Sequence, residues 1–438
     1  MTANTLRVSI AAALGGLMFG FDVGIIGGAV PFIEAHFDLD ALQLGWGASS
    51  LLLGAIVGAA FAGRQADRLG RRRALRQIAL LFAVTSLATG LAFNFASFVL
   101  FRFLGGISVG AVSVISPMYL SETAPTRQRG SLISLYQLAI TLGIVLSYLI
   151  TYLVHDTGAW NWRWMFLAGV VPSVVFWQAL ARIPESPRWL LMQGREADAI
   201  AVLDRVFGGL EARAEELRLR ESLSRTTLRP LDWQRPSERR TVLIGLSLAV
   251  LVQFSGVNTV VDYAPRILQT AGWAIDRALF STFGIGLCFV AFTLLGVALI
   301  DRLGRRTLYL IGSLGMSLTL VWMMYLQYTG QFRGVGVLVL LLAYVAFFAA
   351  CIGTAFWTLV AEIFPNAIRG QAMSLTSLTN WLANFLVVFF FPWLLARAGG
   401  AATFGFLALM SLVQLGVAWG FLTETKGRTL EEIQVGGH

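Results

Sequence analysis

Apolar runs of membrane-spanning length constrain this chain more than any other sequence feature. Only 13% of its 438 residues are charged and 57% are hydrophobic, whereas a soluble domain keeps about 25% charged residues. Runs of roughly 20 apolar residues match the thickness of a bilayer. They are too long and too uniformly apolar for barrel strands, so the backbone can satisfy its hydrogen bonds only as helices. The sequence therefore predicts an all-α membrane protein.

The sequence contains twelve such runs, and we expect their bounds to hold to about three residues. They are approximately 8–31, 45–63, 77–94, 98–120, 132–154, 162–183, 241–268, 279–300, 307–328, 334–360, 372–395 and 403–422. The first run is longer than the core of a signal peptide and contains the acidic Asp22, so we expect it to be retained as the first helix.

Positive charge is concentrated in alternate loops. The net charge of +9 would suggest nucleic acid binding only if the positions of the charges were ignored. Arginines crowd the second, fourth, sixth, eighth and tenth loops, whereas the first loop, "PFIEAHFDLDALQL", carries three acids. Basic loops stay in the cytoplasm. We therefore expect both termini in the cytoplasm, a plasma or inner membrane location and no nucleic acid partner.

Three charged motifs occur twice at a nearly constant distance. "DRLGRR" stands at 67–72 and 301–306, "SETAPTRQRG" at 121–130 corresponds to "AEIFPNAIRG" at 361–370, and "PESPRWL" at 184–190 corresponds to "TETKGRTL" at 423–430. The offsets are 234, 240 and 239 residues. Such a shift indicates a duplicated six-helix half. We expect halves at 1–183 and 241–422, a cytoplasmic helical linker at 184–240 and a cytoplasmic tail at 423–438.

Each repeated motif falls at the cytoplasmic end of the second, fourth or sixth helix of its half. Two halves that rock against each other need latches, and an arginine with a carboxylate at a helix end can form one. The expected latch residues are Asp67, Arg71, Glu122 and Arg129 in the first half, and Asp301, Arg305, Glu362 and Arg369 in the second. The alternative is that these charges only set topology, although topology does not require the acids.

These motifs resemble the sugar porter family of the major facilitator superfamily. The matching segments run in family order through nearly the whole chain: "GRQADRLGRR", "SPMYLSETAPTRQRG", "IPESPRWL", "QFSGVNTVVDYAP", "DRLGRR", "AEIFPNAIRG" and "TETKGRTL". Any one of them is weak, but seven in register are specific. The resemblance implies the twelve-helix major facilitator fold, and it implies that 184–240 is the family's cytoplasmic helical insert.

Polar side chains inside the apolar runs need a reason, because they are costly in lipid. Amides both donate and accept hydrogen bonds, as sugar hydroxyls do, although interhelical hydrogen bonding is the alternative. Asn380 and Asn384 lie four residues apart and hence on one helix face. The residues that the resemblance implies as sugar contacts are Gln137, Gln253, Asn258, Trp357 and Asn380.

The chain departs from the family pattern at three positions. Val252 replaces the first glutamine of a pair, Phe289 stands where an asparagine is common, and Asp262 replaces the first of two aromatic residues, leaving Tyr263. These changes weaken any choice of one sugar. We expect Asp262 to pair with Arg266 one turn on, while gating and ligand contact remain alternatives.

Asp22 lies inside the first apolar run, and Arg102 enters the fourth from the same outer face. A charged aspartate at a helix centre costs about 2.5–3.5 kcal/mol on the insertion scale, so we expect it to be protonated or paired with Arg102. The resemblance implies more. An aspartate and an arginine at these motif positions form the coupling pair of proton-linked sugar porters.

The sequence thus favours a monosaccharide–proton symporter, with a hexose as the first candidate substrate and a pentose or cyclic polyol still open. A facilitative uniporter of the same fold is the alternative. A non-transporting sugar receptor is disfavoured by the short segment after the last run. An enzyme is disfavoured because His36, His155 and His438 are scattered. We expect no cofactor, no metal and a functional monomer in the lipid bilayer.

Overall fold

The structure is a computed structural model that describes residues 3–124, 129–225, 231–365 and 368–424. Side chains are described for 6–124, 135–209, 212–221, 231–365 and 368–424. The side chain of Arg129 and almost all of the expected tail at 423–438 therefore lie outside the described residues. Within the described part of the chain, every regular element is helical.

Up to Arg225, the described residues form ten α-helices. They are α1 Ala3–Phe37, α2 Ala41–Leu69, α3 Arg71–Gly90, α4 Phe95–Thr123, α5 Arg129–Val154, α6 Asn161–Leu167, α7 Val170–Ala181, α8 Pro187–Met192, α9 Glu196–Val206 and α10 Gly209–Arg225. Helix α1 runs six residues beyond the expected end of the first span. Glu34 and His36 end the apolar run, but a helix can continue where water solvates its charges. Asp22 is therefore 15 residues from the end of α1, not nine as the apolar run suggested.

From Pro236 onward, the described residues form eight further α-helices and one π-helical segment. They are α11 Pro236–Phe254, α12 Val257–Asp262, α13 Ala264–Thr270, α14 Ile275–Leu303, α15 Arg305–Tyr328, α16 Val335–Phe347, the π-helix Phe348–Ile352, α17 Gly353–Ile363 and α18 Arg369–Phe421. Helix α18 is two helices in one, because Gly399 has φ 78° inside it. The tenth span is α16, the π-helix and α17 in succession.

The twelve-helix prediction is confirmed by these elements. Ten segments of the described chain are long and apolar enough to cross a membrane. Helix α18 is counted once among these ten but forms two spans. The 20-residue α3 is a further span, so the total is the predicted twelve. Helix α3 begins with four arginines in six positions. The arginines at its start lower the apolar character of α3 without shortening it.

The described residues form two compact units. The first lies within Met1–Ile25, Ser50–Ile150 and Asp156–Thr227, and the second within Ile26–Ser49, Thr151–His155 and Leu228–His438. Helices α1, α2 and α5 each contribute residues to both units. Each unit has its own candidate functional residues.

The segment after the sixth span is helical, as its periodicity predicts. Helices α8, α9 and α10 share a small apolar core that includes Leu203, Val206, Phe207, Ala212 and Leu219. On its surface Arg220 bonds Glu196 at 2.8 Å and Glu216 at 3.0 Å. Hydrogen bonding and charge from Arg220 lower the pKa of Glu196. Such exposed pairs add little stability, so the apolar core holds this insert together.

Glycines let α2 and α4 cross with their backbones in contact. A Cβ added at Gly54 or Gly58 of α2 would overlap the carbonyl oxygen of Phe103 or Ile107 on α4. Reciprocally, a Cβ at Gly110 of α4 would overlap the carbonyl oxygen of Ala55. Lipid tails supply no hydrophobic force between helices, so small residues at the crossing provide packing instead.

We predict that Gly58→Val and Gly110→Val each destabilise the protein. Neither backbone can withdraw without opening the crossing, and overpacking typically costs about 1–3 kcal/mol. The thermal unfolding midpoint of the purified protein checks this. Gly63→Val is the matched control, because a Cβ at Gly63 of α2 meets nothing within 4 Å. Equal midpoints for all three variants would contradict the role of the crossing.

Candidate functional site

A buried ion pair joins α1 to α4 in the first unit. Arg102 Nη1 lies 2.6 Å from Asp22 Oδ1, and the two side chains are 2% and 7% exposed. The guanidinium also lies over the ring of Phe166 on α6, with 5.3 Å between Arg102 Cζ and the ring centroid. The structure thus brings together the two residues that sequence reasoning chose for proton coupling.

This ion pair is incompletely hydrogen-bonded. Asp22 Oδ2 and Arg102 Nε and Nη2 are buried and have no hydrogen-bond partner among the described residues. Buried charges are tolerated when paired and saturated with hydrogen bonds, and each missing bond leaves part of the desolvation cost uncompensated. The pair is therefore held by one short bond in an environment that penalises both charges, and a proton on Asp22 would remove that bond's main attraction.

The glycines of α1 place its backbone against α5. A Cβ at Gly20 would overlap the carbonyl oxygen of Ile140, and one at Gly16 would lie 2.6 Å from the carbonyl oxygen of Tyr136. These glycines therefore serve close packing. Gln137, one of the expected sugar contacts, lies half-buried on α5 in this first unit.

In the second unit a helix break creates a chain of amides. Gly256 has φ 92° and separates α11 from α12, a conformation that favours glycine. On a continuous helix Gln253 and Asn258 would point about 140° apart. Across the break, Asn258 Nδ2 donates to Gln253 Oε1 at 2.8 Å. Gln253 Nε2 in turn donates to Asn380 Oδ1 on α18 at 3.0 Å.

The amide chain leaves complementary groups at its two ends. The Asn258 carbonyl oxygen can accept a hydrogen bond, and the Asn380 amino group can donate one. Neither group makes a hydrogen bond within the described part of the chain. Gln253 and Asn380 are only 8% and 9% exposed. Trp357 on α17 is 38% exposed.

The positions that depart from the family pattern are occupied by packed side chains. Phe289 packs edge-on against Phe348 with ring centroids 6.0 Å apart. Tyr263 is fully buried and donates its hydroxyl to the carbonyl oxygen of Val388 at 3.2 Å. Val252 is buried as well. Val252 and Phe289 are therefore apolar side chains at positions where the family pattern has amides.

The expected ion pair between Asp262 and Arg266 is wrong. Arg266 instead pairs with Glu34 at the end of α1. The helix breaks again at Tyr263, so Arg266 is not one regular turn beyond Asp262. Helix α1 can approach this region because Gly27 packs against the carbonyl oxygens of Val261 and Asp262.

The repeated motif of the first half forms a closed polar cluster at the start of α3. Arg71 Nε and Nη2 lie 2.9 and 3.0 Å from the two carboxylate oxygens of Glu122, and Arg71 Nη1 lies 3.0 Å from Asp67 Oδ1. Ser186 Oγ donates to Glu122 at 2.5 Å. Glu185 accepts a hydrogen bond from the backbone N–H of Arg72 at 3.0 Å. The side chain of Arg71 is 4% exposed.

The second half repeats this cluster in a looser form. Arg305 lies 3.1 Å from Asp301 and 3.4 Å from Glu362, and its side chain is 16% exposed. Glu424 accepts a hydrogen bond from the backbone N–H of Arg305 at 3.0 Å. Arg369 donates through Nε and Nη2 to the carbonyl oxygen of Phe364. The corresponding side chain of the first half, Arg129, lies outside the described residues.

Sequence reasoning missed the carboxylates that cap these clusters. Glu185 and Glu424 each hold the start of a helix that follows a glycine of positive φ, 89° at Gly70 and 90° at Gly304. The signal was available, because both acids lie in the repeated "PES" and "TET" segments. Glu34 had no such signal, since its partner Arg266 is 232 residues away.

Known proteins resemble the chain along its whole length. The family profile described as "Sugar (and other) transporter" matches residues 8–436. An arabinose-proton symporter of Bacillus subtilis (strain 168) is 35% identical, over 98% of this chain and 94% of that protein. A glucose transport protein of Synechocystis sp. is 37% identical, over 99% of this chain and 98% of that protein. A solved structure of the xylose transporter of E. coli, in a partially occluded inward-open conformation, superposes with a TM-score of 0.88 at 32% identity, covering 98% of this chain and all of that one.

We predict that Arg71→Gln lowers stability more than Arg305→Gln. Removing one partner of a buried charge cluster strands the others and costs about 3–5 kcal/mol, whereas a partly hydrated cluster loses less. Thermal unfolding of the two purified variants measures the difference. Equal losses would mean that the deeper burial of the first cluster has no energetic consequence.

Proposed function

The chain belongs to the Sugar (and other) transporter family, and from that premise we propose that it is a proton-coupled symporter that imports a monosaccharide. Family membership also confirms the expectation of a multi-pass membrane transporter rather than an enzyme. The observation that carries the coupling half of the proposal is the buried pair of Asp22 and Arg102.

Coupling follows from the electrostatics of that pair. While Asp22 is ionised, its attraction for Arg102 joins α1 to α4. A proton delivered to Asp22 neutralises the carboxylate, weakens this bond and leaves Arg102 free to change partner. A protein that switches conformation when Asp22 is protonated and sugar is bound, and returns when Asp22 is ionised and the sugar site is empty, moves both substrates together, provided that it does not switch with one substrate alone. The missing hydrogen bonds on both groups support this role, because a purely structural pair is stabler when saturated.

Sugar recognition is assigned to the amide chain and its neighbours. In this proposal Asn258 accepts a hydrogen bond from one sugar hydroxyl, Asn380 donates to another, and Gln253 fixes both amides in orientation. Trp357 covers an apolar face of the sugar ring. Gln137 remains a further proposed sugar contact. A set of neutral donors and acceptors fits a neutral polyhydroxylated substrate better than an ion.

The names of the relatives support a monosaccharide without deciding between classes of sugar. They include an arabinose-proton symporter, a D-xylose-proton symporter and a glucose transport protein. We therefore propose a pentose or a hexose as substrate, and a binding screen over both classes selects between them. The apolar side chains of Val252 and Phe289 reduce the number of available hydrogen bonds.

The cytoplasmic clusters are proposed as latches. In this scheme Asp67, Arg71 and Glu122, with Arg129, hold one side closed in the first half, and Asp301, Arg305, Glu362 and Arg369 do so in the second. The division into halves at 1–183 and 241–422 with a linker at 184–240 remains part of this proposal. The ion pairs within each cluster support it.

We place the protein in the plasma or inner membrane with both termini in the cytoplasm. The support is the bias of arginines toward alternate loops. A monomer suffices for this mechanism, because every residue it uses belongs to one chain.

We predict that Asp22→Asn abolishes accumulation of sugar driven by a pH gradient. The amide cannot carry the proton, yet it preserves the size of the side chain. Uptake into proteoliposomes with and without an imposed gradient measures this, and counterflow without a gradient verifies that the variant still carries sugar. Glu196→Gln, a carboxylate removed from the exposed surface of the insert, is the control. A variant that still concentrates sugar refutes the coupling role, and wild-type protein indifferent to the gradient identifies a uniporter.

We predict that Gln253→Ala weakens sugar binding about tenfold. The change removes two hydrogen bonds and frees both neighbouring amides, and each bond is worth about 0.5–1.5 kcal/mol. Binding to the purified protein, measured calorimetrically, checks this. The control is Gln414→Ala, which removes a buried amide bonded to Ser313 in the same unit. An unchanged affinity for sugar in Gln253→Ala, or an equal loss of affinity in the control, would mean that Gln253 serves helix packing and does not contact the sugar.

A further inference from the structure

A basic cavity lies between the start of α3 and the helical insert of the first unit. Its volume is about 330 Å³, enough for a small organic ligand. The charged side chains that line it are Arg72, Arg73, Arg195, Arg205, Glu185 and Asp198. Four guanidinium groups thus face two carboxylates, and neither the proton pathway nor the sugar contacts proposed above use any of them.

Both carboxylates already have partners. Glu185 Oε1 accepts hydrogen bonds from the backbone N–H groups of Arg72 at 3.0 Å and Ser186 at 2.9 Å. Asp198 Oδ2 lies 2.7 Å from Arg195 Nη2 and 2.8 Å from its Nε. Asp198 is thus taken up by Arg195, and Glu185 by backbone N–H groups, so the lining carries more arginines than carboxylates.

Arg72 has donor capacity left over. Its Nη1 donates to the carbonyl oxygen of Ile183 at 3.0 Å, which fixes the side chain without neutralising it. Its Nε is buried and has no hydrogen-bond partner within the described part of the chain. A buried donor without an acceptor is costly, so the hydrogen-bonding capacity of this guanidinium is only partly used. Arg73 beside it is exposed.

The cavity lies at the level where a membrane-spanning helix begins. Helix α3 starts at Arg71, and Arg76 one turn on lies 4.6 Å from the ring centroid of Trp177, an aromatic residue of the sixth span. Basic cavities on the cytoplasmic side of membrane helices suit anionic headgroups. The opposite wall is made by α8 and α9.

We propose that this cavity binds a phosphate monoester. A guanidinium presents a planar fork of donors that matches phosphate oxygens, and several forks around one cavity favour a doubly charged group. The same chemistry is carried by the headgroup of phosphatidic acid and by a soluble phosphomonoester. Because the bound group would join α3 to the insert, its binding stabilises the folded transporter. This site goes beyond the proposed sugar–proton symport and does not depend on it.

The experiment uses the full-length protein in nanodiscs with two separate arms. One arm replaces about a tenth of the phosphatidylcholine by phosphatidic acid, with phosphatidylglycerol as the anionic phosphodiester control. The other adds glycerol 3-phosphate to nanodiscs of phosphatidylcholine alone, at constant ionic strength. Ligand binding raises the unfolding midpoint through mass action, and we expect a rise of about 2–4 °C in one arm.

We choose Arg73 and Arg205 for substitution because both line the cavity, whereas Arg72 and Arg195 are held by Ile183 and Asp198. We expect Arg73→Gln combined with Arg205→Gln to remove the rise, and Arg213→Gln, an exposed arginine of α10 outside the cavity, to retain it. A pH-driven uptake assay of the double variant verifies that it is folded.

The arm that shows the rise identifies the source of the phosphate. A rise with phosphatidic acid alone assigns a lipid headgroup, and a rise with glycerol 3-phosphate assigns a soluble ligand. No rise in either arm overturns the proposal. An equal rise with phosphatidylglycerol, or one that persists in the double variant, overturns it as well, because general attraction to negative charge then accounts for the effect.

Discussion

The absence of water inside the bilayer is the constraint on which the rest of this structure depends. Polar groups in the spans depend on partners within the protein, and the candidate coupling residues and the amide chain are such pairings. Asp22 pairs with Arg102, and Gln253 with Asn258 and Asn380. Pairing of this kind makes the polar residues sensitive to protonation and to ligands. A proton or a sugar hydroxyl changes a hydrogen bond or an ion pair, and no water is present in the bilayer to replace the lost partner.

The architecture could be predicted from the sequence because its causes are local or repeated. Span length follows from bilayer thickness, and the duplication shows in motifs that need no structure to align. The pairing of Asp22 with Arg102 could also be predicted from the sequence. An unpaired charge inside the membrane is costly, and Arg102 enters its span from the same face as Asp22. The same logic led to the clusters around Arg71 and Arg305, which the structure places within hydrogen-bonding distance of the expected acids.

The details of the amide site could not be predicted in the same way. A glycine permits a positive φ but does not require one, so "QFSGVN" gives no indication that the helix breaks at Gly256. Only the break brings Gln253 to Asn258. The second break, at Tyr263, undermined the expected pair of Asp262 and Arg266, because helical spacing was assumed across it. The true partner of Arg266, Glu34, is distant in sequence, and no local pattern points to it.

The two carboxylates that cap the starts of α3 and α15 are synthesised long after the helices that they cap. Glu185 is synthesised 113 residues after Arg72, from whose backbone N–H it accepts a hydrogen bond. Glu424 is synthesised 119 residues after Arg305, from whose backbone N–H it accepts a hydrogen bond. A chain is made in order and its N-terminal parts fold first, so each half keeps one unsealed helix end until its sixth span has been inserted. A nascent chain stalled before either glutamate thus lacks the carboxylate that accepts a hydrogen bond from the backbone N–H of Arg72 or Arg305.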